Sequence, residues 1–569
     1  MDIGALGLLT MSRNKKRMPK VAYFSMEFGL HPGLPIYAGG LGILAGDFLK
    51  AAHDLEMPVT GVGILWRQDY TEQYIGEDGY PYDRFPEFNF DFLKDTGVRV
   101  NVMIWGQEVA VRVLLADQYH NAPLYLLDAG YPGSPHHWIT SKLYESKTDT
   151  RIAQEIILGI GGVRALEALG EKPDIYHFNE GHAVLAGIEL ISKRMKERQL
   201  SFPEAWEEVR QDIVFTTHTP VEAGNEKHNH DLLKEIGAYN GLTYDQMRQI
   251  GEDPFNMTIA AMRLSSITNA VSKLHGQTTR EMWCEVCGEH PIISITNGVH
   301  VHTWQDRKIR DAFERGGDLW EPHQELKREL LELVEQKKGV KLREDSLLIG
   351  FARRAAPYKR SDLIFRNTEI LEKLMDEGKI QLLFSGKAHP NDHNGKNIIC
   401  NLVQMERRYP ENVVFLENYD MTIAQAMVKG CDVWLNNPIR PLEASGTSGM
   451  KAAMNGVLNL SVVDGWVAEG PQHGISGWLI DQHDYHEEDE FEKNRQDLLA
   501  LYRILLEEIL PLYYQDRRAW TNMMFASVDM SHWQFSSGRM LLEYYNVLYQ
   551  RAKVREREHA SYLEHTYQK

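Results

Sequence analysis

The chain has 569 residues, too many for one hydrophobic core, so we expect about two to four domains. Its net charge of -18, with a pI of about 5.7, argues against a broad nucleic-acid-binding surface but not against a local cluster of cations. Four cysteines do not make a disulfide framework in a chain this long, so we expect a cytoplasmic protein. No apolar run approaches the ~18 residues of a membrane helix. Together with the net charge, this predicts neither nucleic-acid nor membrane partners.

The first half of the chain alternates predicted strands and helices, a pattern typical of parallel sheets with crossover helices. Residues 1–20 place an apolar patch before basic residues, the reverse of a signal peptide, and are interpreted as a frayed terminus or a leader before the first strand. The predicted elements are strand Val21–Phe28, helix Ile43–Leu55, strand Val59–Leu65, helix Arg151–Leu169, strand Asp174–Phe178, helix His182–Arg198 and strand Asp212–Thr217. Three β-rich runs interrupt them as an antiparallel excursion: Val98–Trp105, Glu108–Leu115 and Pro123–Ala129.

A second alternating series follows Asn297-Gly298. It predicts helix Leu319–Gln336, strand Ser346–Phe351, helix Ser361–Glu377, strands Gln381–Phe384 and Asn412–Phe415, helix Met421–Val428 and strand Val433–Asn436, with late helices from Phe491 to Tyr514 and from Ser536 to Glu558. The prediction is an α/β protein with two doubly wound, Rossmann-like domains facing a central cleft, and ligands beyond the carboxyl ends of the strands. The predicted domains are 1–298, with the antiparallel excursion, 299–530, and a helical segment over 531–569.

The segment Glu443-Ala-Ser-Gly-Thr-Ser-Gly-Met-Lys451 is the most informative in the chain. Its glycines and hydroxyl residues precede an apolar, helix-compatible run, and backbone N–H groups at a helix start hold anions. The lysine one turn later is either a cation for that anion or a Schiff-base amine for an aldehyde cofactor. The alternative is a Ser/Gly-rich loop that caps an ordinary helix.

This segment resembles the pyridoxal-phosphate lysine motif of the α-glucan phosphorylases, the family of glycogen, starch and maltodextrin phosphorylases. The resemblance runs from about Val21 to about Gly465 in the family's order, and it is closest to the short bacterial and archaeal type. It implies the glycosyltransferase-B type of fold and the cofactor pyridoxal 5′-phosphate. It also implies that Lys451, Thr447 and Ser448 bind the cofactor and that Ser445 and Gly446 bind substrate.

The loop Tyr37-Ala-Gly-Gly-Leu-Gly42 lies between a predicted strand and a helix. Its glycines let a ligand approach the backbone at a helix N-terminus, although a tight turn without a ligand has the same composition. The loop resembles the family's glycine loop, which implies that Gly39, Gly40 and Gly42 approach the substrate phosphate and that Gly40 lies near the cofactor. Ala38 and Ile43 replace the Asn and Arg that usually flank this loop.

Four cations follow a predicted strand in Arg353-Arg354-Ala-Ala-Pro-Tyr358-Lys359-Arg360. They indicate either a phosphate site, because Arg can grip phosphate with two N–H groups, or a solvated basic turn. The stretch is similar to the family pattern K-R-x-x-x-Y-K-R, which implies that Arg354 and Lys359 hold inorganic phosphate and that Arg353 faces the cofactor phosphate. Ala356 and Pro357 depart from the usual His-Glu.

Further motifs surround the sugar in the family. A histidine at a strand end is by itself more often structural than catalytic. The resemblance implies that His218 and Asn297 contact a sugar 6-hydroxyl, that Glu180 and His182 lie on the acceptor side, and that Glu443 accepts a hydrogen bond from a sugar 3-hydroxyl. It also implies that Trp304 and Tyr419 flank the cofactor, although Asp420 stands where the family often has Arg.

The resemblance implies phosphorolysis of α-1,4-glucan or maltodextrin by inorganic phosphate, releasing glucose 1-phosphate with retention. One rival is a glycogen- or starch-synthase-like transferase with a nucleotide-sugar donor, and another is an inactive glucan-binding or scaffolding protein. No metal is expected, because Cys284 and Cys287 form a lone C-x-x-C. We expect hyperbolic kinetics insensitive to AMP and glucose 6-phosphate, since the first core strand begins almost at once and leaves no arm for an effector. The oligomeric state is left open, with a homodimer as one option.

Overall fold

The computed structural model describes residues 18–68, 70–220, 225–287, 291–480 and 490–550. These residues form two compact units. The first takes in the described residues of Met1–Tyr70, Phe85–Asn297 and Ser537–Lys569, and the second those of Thr71–Arg84 and Gly298–Ser536. The main segment of the second unit therefore begins at Gly298, whereas the sequence predicts a boundary between residues 298 and 299.

The first unit is built on a nine-stranded sheet. Its strands are β1 (Val21–Phe24), β2 (Val59–Ile64), β3 (Lys94–Ile104), β4 (Gln107–Ala116), β5 (Leu124–Asp128), β6 (Ile175–Asn179), β7 (Ile213–Thr216), β8 (Ile267–Ala270) and β9 (Ile292–Ser294). Their spatial order is β9-β8-β7-β6-β1-β2-β5-β4-β3, and the pairs β3–β4 and β4–β5 are antiparallel. The predicted excursion is thus confirmed, and the chain order reverses between β1 and β6, where doubly wound sheets bind ligands.

Helices cover this sheet, and polar side chains start several of them. Asn256 accepts hydrogen bonds from two N–H groups of its helix, and Thr243 forms a capping box with Gln246. The helices are Gly40–Asp54, Thr148–Ile156, Gly162–Ala168, Val184–Arg198, Phe202–Asp212, His230–Ile236, Tyr244–Gly251, Met257–Leu264, Lys273–Met282, Cys284–Cys287 and Ser537–Glu543, with π-helical turns Ile157–Gly161 and Tyr544–Tyr549 and a 3-10 turn Gly181–Ala183. The residue pair Lys227–His228 bridges Phe255–Asn256 in a small second sheet.

The second unit is built on a six-stranded, all-parallel sheet. Its strands are β10 (Leu347–Ala352), β11 (Ile380–Ser385), β12 (Val413–Leu416), β13 (Val433–Asn436), β14 (Leu458–Val462) and β15 (Gly477–Ile480). The order β12-β11-β10-β13-β14-β15 is doubly wound, with its switch point between β10 and β13. All six residues of β10 are buried, as expected of a strand covered on both faces.

The helices of the second unit are Val301–Trp304, Arg307–Glu314, Trp320–Lys338, Thr368–Asp376, His393–Arg408, Met421–Gly430, Thr447–Met454, Glu490–Ile504, Leu510–Gln515 and Arg517–His532, with a π-helical turn Leu505–Ile509 and 3-10 turns Pro357–Lys359, Leu363–Arg366 and Gly465–Ala468. A hairpin of Glu72–Ile75 and Pro81–Arg84 also belongs to this unit. Both sheets confirm the α/β, doubly wound class predicted from the sequence.

The division into units differs from the predicted domains in two places. The hairpin leaves the first unit because its polar side chains bond to the second: Gln73 donates to the Ala388 carbonyl oxygen, and Asp83 accepts from Lys396 at 2.5 Å. The segment predicted as a separate third part joins the first unit from Ser537, where Tyr549 lies 2.8 Å from a ring nitrogen of buried His177. The rest of that prediction, over 551–569, lies outside the described residues.

Candidate active site

Lys451 lies in the helix Thr447–Met454 of the second unit. Gly446 precedes this helix with a φ of 84°, a conformation that favours glycine, and no side chain caps the helix start. Lys451 is 7% exposed, and its Nζ lies 3.6 Å from the centre of the buried Trp304 ring. One short element therefore offers open backbone N–H groups for an anion and a buried amine one turn later.

Hydroxyl residues flank this helix start. Thr447 opens the helix, and the Ser448 hydroxyl accepts a hydrogen bond from the Trp434 indole at 3.2 Å. Ser445 is 5% exposed, and its Oγ has no hydrogen-bond partner among the described residues. A buried hydroxyl without a partner loses free energy unless a ligand or water satisfies it. Ser445 therefore marks a position where a polar ligand fits.

Two cations converge on one carboxylate beside the helix start. Arg353 follows β10 directly, and Lys359 ends the 3-10 turn Pro357–Lys359. Arg353 donates to Oε2 of Glu443 at 2.5 Å, and Lys359 donates to the same oxygen at 2.6 Å. A Cβ on Gly446 would lie 3.3 Å from Glu443 and 3.6 Å from Arg353, so the cluster borders the helix N-terminus. The strand end, the turn and the helix start thus concentrate positive potential at one place.

The electrostatics of Glu443 and Asp464 differ sharply. Burial alone would raise the pKa of Glu443, but the charges of Arg353 and Lys359 outweigh it and lower this pKa to about 2. Burial raises the pKa of Asp464 to about 7, although Asp464 accepts a hydrogen bond from the Glu443 backbone N–H at 2.9 Å. At neutral pH, Glu443 is therefore ionised, and Asp464 titrates.

The four cations of the basic stretch separate in the structure. Arg360 is buried in a structural network, where it donates to the backbone oxygens of Asn437 and Pro438 and to Asp497 at 2.6 Å. The sequence assigned Arg360 no role, and these bonds show that it fixes the loop after β13. Arg354 is exposed and takes part in none of the hydrogen bonds or ion pairs found across the described residues. Only Arg353 and Lys359 converge.

Tyr419 and Asp420 lie between β12 and the helix Met421–Gly430. Burial raises the pKa of the Tyr419 hydroxyl, while the neighbouring charge of Arg353 opposes that rise, so Tyr419 lies near the cation cluster. Asp420 accepts a hydrogen bond from the Ile423 N–H at 2.8 Å and caps this helix. This capping bond gives Asp420 a structural role at a motif position where the family often has Arg.

In the first unit, Glu180 and His218 lie at the ends of neighbouring strands β6 and β7. The Glu180 carboxylate accepts a hydrogen bond from the His218 N–H at 2.7 Å, and the His218 ring contacts the Asn179 amide oxygen, also at 2.7 Å. Burial raises the pKa of Glu180 to about 7, whereas burial with neighbouring histidines lowers that of His218 to about 3. His218 is therefore a neutral hydrogen-bonding group at pH 7. Glu180 has a φ of 72°, a strained backbone that is frequent at functional sites.

His182 and Asn297 each keep a buried polar atom unsatisfied. His182 Nδ1 and Asn297 Oδ1 have no hydrogen-bond partner in the described part of the chain. Burial lowers the pKa of His182 to about 3, and the neighbouring Arg151 adds to that effect. Asn297 is 3% exposed and lies at the end of the first unit's main segment. Both atoms fit a polar ligand.

The glycine loop is held by a carboxylate that the sequence analysis did not single out. Glu27, just after β1, accepts hydrogen bonds from the N–H groups of Ala38 at 2.6 Å and Gly39 at 3.0 Å. A Cβ on Gly42 would lie 2.6 Å from the Glu27 carboxylate, whereas one on Gly39 or Gly40 meets nothing within 4 Å. Gly42 is thus required by packing, while Gly39 and Gly40 leave open space at an uncapped helix start. Glu27 lies inside the predicted strand Val21–Phe28, and an acid within that mainly apolar run was the signal that could have found it.

A buried ionic cluster lies next to a cavity of about 160 Å³ in the first unit. The ligand atoms of Glu155, Glu226 and His228 lie within 4.8 Å of one another, close enough to hold a metal ion. Arg151 already pairs with both carboxylates, at 3.0 Å from Glu226 and 3.7 Å from Glu155, so the cluster is neutralised without a metal. The expectation that the protein binds no metal stays a prediction. The expectation that Cys284 is not a metal ligand also stays a prediction, and Cys284 is an exposed free thiol.

Comparison with known proteins places the second-unit cluster inside a recognised region. The carbohydrate phosphorylase family matches residues 307–469, which include Arg353, Lys359, Glu443 and Lys451. None of the helices in the described ranges is both long and apolar enough to cross a membrane.

Curated relatives extend the similarity over almost the whole chain. The maltodextrin phosphorylase of Thermococcus litoralis is 40% identical over 592 aligned residues, which cover 94% of this chain and 70% of that protein. The glycogen phosphorylase of Aquifex aeolicus is 36% identical, with 93% of this chain and 86% of that protein covered. The glycogen phosphorylase of Mycobacterium tuberculosis is 36% identical, with 92% and 70% covered. The chain belongs to the α-glucan phosphorylase family of enzymes.

Proposed function

We propose that the protein cleaves α-1,4-glucans or maltodextrins with inorganic phosphate, releasing α-D-glucose 1-phosphate and a glucan shorter by one unit. The observation that carries this proposal is the convergence of Arg353 and Lys359 beside the uncapped helix that holds Lys451. A cation cluster at a helix start is suited to phosphate groups, and a hydrolase would not need it. The phosphorolytic relatives named above support the same reaction.

The residues around Lys451 fit pyridoxal 5′-phosphate. The helix start without a side-chain cap, the buried Ser445 Oγ without a partner and the buried Lys451 amine are the features that such a group would need. Lys451 would hold it through its aldehyde, Trp304 and Tyr419 would flank it, and Thr447, Ser448, Gly40 and Arg353 would contact it. The chemistry that the group would supply is the acid–base function of its phosphate.

The chain's own residues would bind and orient the substrates. Lys359 and Arg354 would neutralise inorganic phosphate, and the family resemblance also assigns the backbone of Gly39, Gly40 and Gly42 to the substrate phosphate. For Arg354, this role requires its exposed side chain to turn towards the phosphate. Glu443 uses Oε2 for the two cations, and in the described contacts Oε1 accepts no hydrogen bond, so a sugar 3-hydroxyl could donate to it.

The first-unit residues would contact the glucan. Neutral His218 and the unsatisfied amide oxygen of Asn297 would bond a sugar hydroxyl. In the second unit, Ser445 and Gly446 would bind substrate. Glu180 and His182 would face the acceptor side. The substrate phosphate would donate a proton to the glycosidic oxygen and attack the same face of the sugar, so the product would keep the α configuration. A cytoplasmic location and a homodimer stay predictions.

The test combines spectroscopy with product analysis. Purified protein should carry about one pyridoxal phosphate per chain, absorb in the near ultraviolet or visible, and yield a labelled Lys451 peptide after borohydride reduction. Lys451→Ala should lose the absorbance and the activity, while Lys379→Ala, at a surface lysine paired with Glu377, should keep both. Release of glucose 1-phosphate should require both maltodextrin and phosphate.

Three outcomes would contradict the proposal. An unmodified Lys451 peptide from reduced, active enzyme would remove the lysine from the cofactor site. Glucose transfer from a nucleotide sugar would point to a synthase-like transferase instead. Glucan binding without any release of glucose 1-phosphate would point to a binding or scaffolding protein.

A further inference from the structure

A tryptophan pair lies on the first unit, apart from the residues considered above, with Trp105 half-buried and Trp138 exposed. The ring centres of Trp105 and Trp138 are 5.7 Å apart, and the ring planes are tilted by 41°. Trp138 is 36% exposed, and Met103, two residues before Trp105, is 49% exposed. Clustered large apolar side chains on a protein surface mark interaction sites more often than isolated ones do. The pair is therefore a candidate binding surface.

Trp105 occupies a turn position that a bulky side chain disfavours. The register of β3 and β4 pairs Ile104 with Gln107, so Trp105 and Gly106 form a two-residue turn with φ values of 50° and 69°. Such a turn favours Asn-Gly, because a residue with a large side chain is strained at positive φ. Strain at a partly exposed aromatic residue points to a functional use of its ring.

The sheet topology places this pair on the same edge as Glu180 and His218. β3 is antiparallel to β4, β4 is antiparallel to β5, and β5 is parallel to β2, so β3 ends at the carboxyl edge of the parallel strands. Trp138 lies in the segment that follows β5. β3 is five strands from β6, which Glu180 follows, and six strands from β7, which precedes His218. At about 4.8 Å per strand, this is about 24–29 Å along the edge.

We infer that the Trp105–Trp138 pair is a remote subsite for the α-glucan chain, an inference that rests on the proposed function. Sugar rings present C–H groups of positive partial charge, which are attracted to the negative face of an aromatic ring. Two tilted ring faces suit consecutive sugars of a curved α-1,4-linked chain. Asn101 and Glu108 are exposed on the same hairpin, where the Asn101 side-chain amide donates a hydrogen bond to the Glu108 carboxylate at 2.8 Å, so the surface beside the pair is polar.

The occupant is a glucan rather than a protein partner because the pair lies at the same edge of the sheet as the candidate sugar-binding residues Glu180 and His218. A chain held at Glu180 and His218 would reach the tryptophan pair only after several glucosyl units. The subsite should therefore contribute to the binding of long maltodextrins and glycogen and leave short donors unaffected.

The test compares variants of the whole enzyme with short and long donors. Trp138→Ala and Trp105→Asn should each raise the apparent KM for long maltodextrins by about three- to ten-fold, the effect of losing one aromatic contact, with kcat unchanged. The KM for maltotetraose should stay the same, and glycogen should retard both variants less than the original protein in native affinity electrophoresis. Trp138→Phe, which keeps an aromatic face, should retain most of the binding.

Two controls distinguish the loss of glucan binding at the tryptophan pair from a loss of folding. Trp105→Asn creates the preferred Asn-Gly turn, so its thermal unfolding temperature should stay equal or rise. Phe92→Ala removes another exposed aromatic ring, which is 49% exposed and lies before β3, at the opposite end of that strand from Trp105. It should change neither kinetics nor glycogen binding.

Equal effects on short and long donors, or unchanged glycogen mobility in Trp138→Ala, would overturn the inference. Electrophoresis does not depend on turnover, so it decides the inference even for an enzyme without phosphorolytic activity. Failure of the original protein to release glucose 1-phosphate from any donor would refute the proposed function alone.

Discussion

Replacing Glu443 by Gln tests the electrostatic reasoning at the candidate site. The change keeps the size of the side chain but removes the charge that pairs with Arg353 and Lys359, whose side chains are 7% and 10% exposed. Breaking a buried ion pair by removing one partner costs about 3–5 kcal/mol, because the remaining charge is left uncompensated. The lowering of the Glu443 pKa from its usual value to about 2 corresponds to about 3 kcal/mol. The pKa of Glu443 and the general cost of breaking a buried ion pair therefore predict a similar loss of stability.

The assay is urea unfolding in phosphate-free buffer at pH 7, with equal cofactor content checked by absorbance. We expect the free energy of unfolding to fall by about 3 kcal/mol with an unchanged dependence on urea. Added phosphate should stabilise the variant more than the original protein, because an anion would neutralise the two unpaired cations. For the original protein, the stabilisation by Glu443 is complete above about pH 4.5 and is lost as the pH falls towards about 2.

The matched control is Glu492→Gln. The Glu492 carboxylate pairs with Arg495 on an exposed helix surface, and its pKa is also lowered to about 2. Exposed pairs contribute little because water and salt screen them, so this variant should unfold like the original protein. Unchanged unfolding of Glu443→Gln, or an equal loss in both variants, would refute the argument that burial makes the Glu443 pair important.

Four further predictions follow from the site geometry. Arg354→Ala should raise the KM for phosphate and lower turnover, with pyridoxal phosphate still bound, because each charge-assisted bond contributes about 1.5–3 kcal/mol; an unchanged phosphate dependence would remove Arg354 from the site. Glu180→Gln should gain stability relative to the original protein as the pH rises from 5 to 8, since the raised Glu180 pKa, about 7, makes ionisation of the buried carboxyl unfavourable in the folded state; parallel pH profiles of unfolding would contradict this. Gly42→Ala should destabilise by about 1–3 kcal/mol because its Cβ would clash with Glu27, whereas Gly40→Ala, with open space, should unfold normally; equal thermal shifts would show that the packing argument fails. Initial rates against phosphate should stay hyperbolic with and without AMP or glucose 6-phosphate, and a sigmoidal curve that AMP straightens would contradict that expectation.

The sequence predicts the fold class well where strands are apolar runs. β13 matches its predicted range, and β10 is displaced from its predicted range by one residue, because continuous apolar segments between turn residues indicate buried parallel strands. The strand β8 was not predicted, because its polar residues Thr268 and Asn269 are not typical of a core strand. In the structure both residues are buried, and Asn269 accepts a hydrogen bond from Thr216 at 2.6 Å. Such polar pairing between strands depends on tertiary neighbours that one segment does not reveal.

Helix prediction failed where the first turn is polar or irregular. The first turn of the helix His393–Arg408 reads His-Asn-Gly, which resembles a loop, and Asp392 caps the helix. The predicted helix Ser361–Glu377 begins only at Thr368, because a short 3-10 turn over Leu363–Arg366 precedes it. The first predicted strand ends at Phe24 instead of Phe28, since Phe28 turns to pair with Ile36.

At the candidate site, the motifs did not predict the side-chain pairings. The resemblance assigned Arg354 and Lys359 to inorganic phosphate and Arg353 to the cofactor phosphate, whereas in the structure Arg353 and Lys359 share Glu443 and Arg354 is exposed. Arg360, which had no assigned role, is structural. Side-chain partners lie about 90 residues apart in the sequence, so spacing along the chain carries no information about them.

The return of residues 537–550 to the first unit has a consequence for synthesis of the chain. Leu541, Tyr545 and Tyr549 are at most 1% exposed within the first unit's core, which the ribosome otherwise completes by Asn297. Domains usually fold in the order in which they emerge, but this one lacks part of its core until nearly 240 more residues have been made. The nascent first unit therefore exposes an apolar groove throughout translation of the second, and during that period it is the part of the chain most dependent on chaperones.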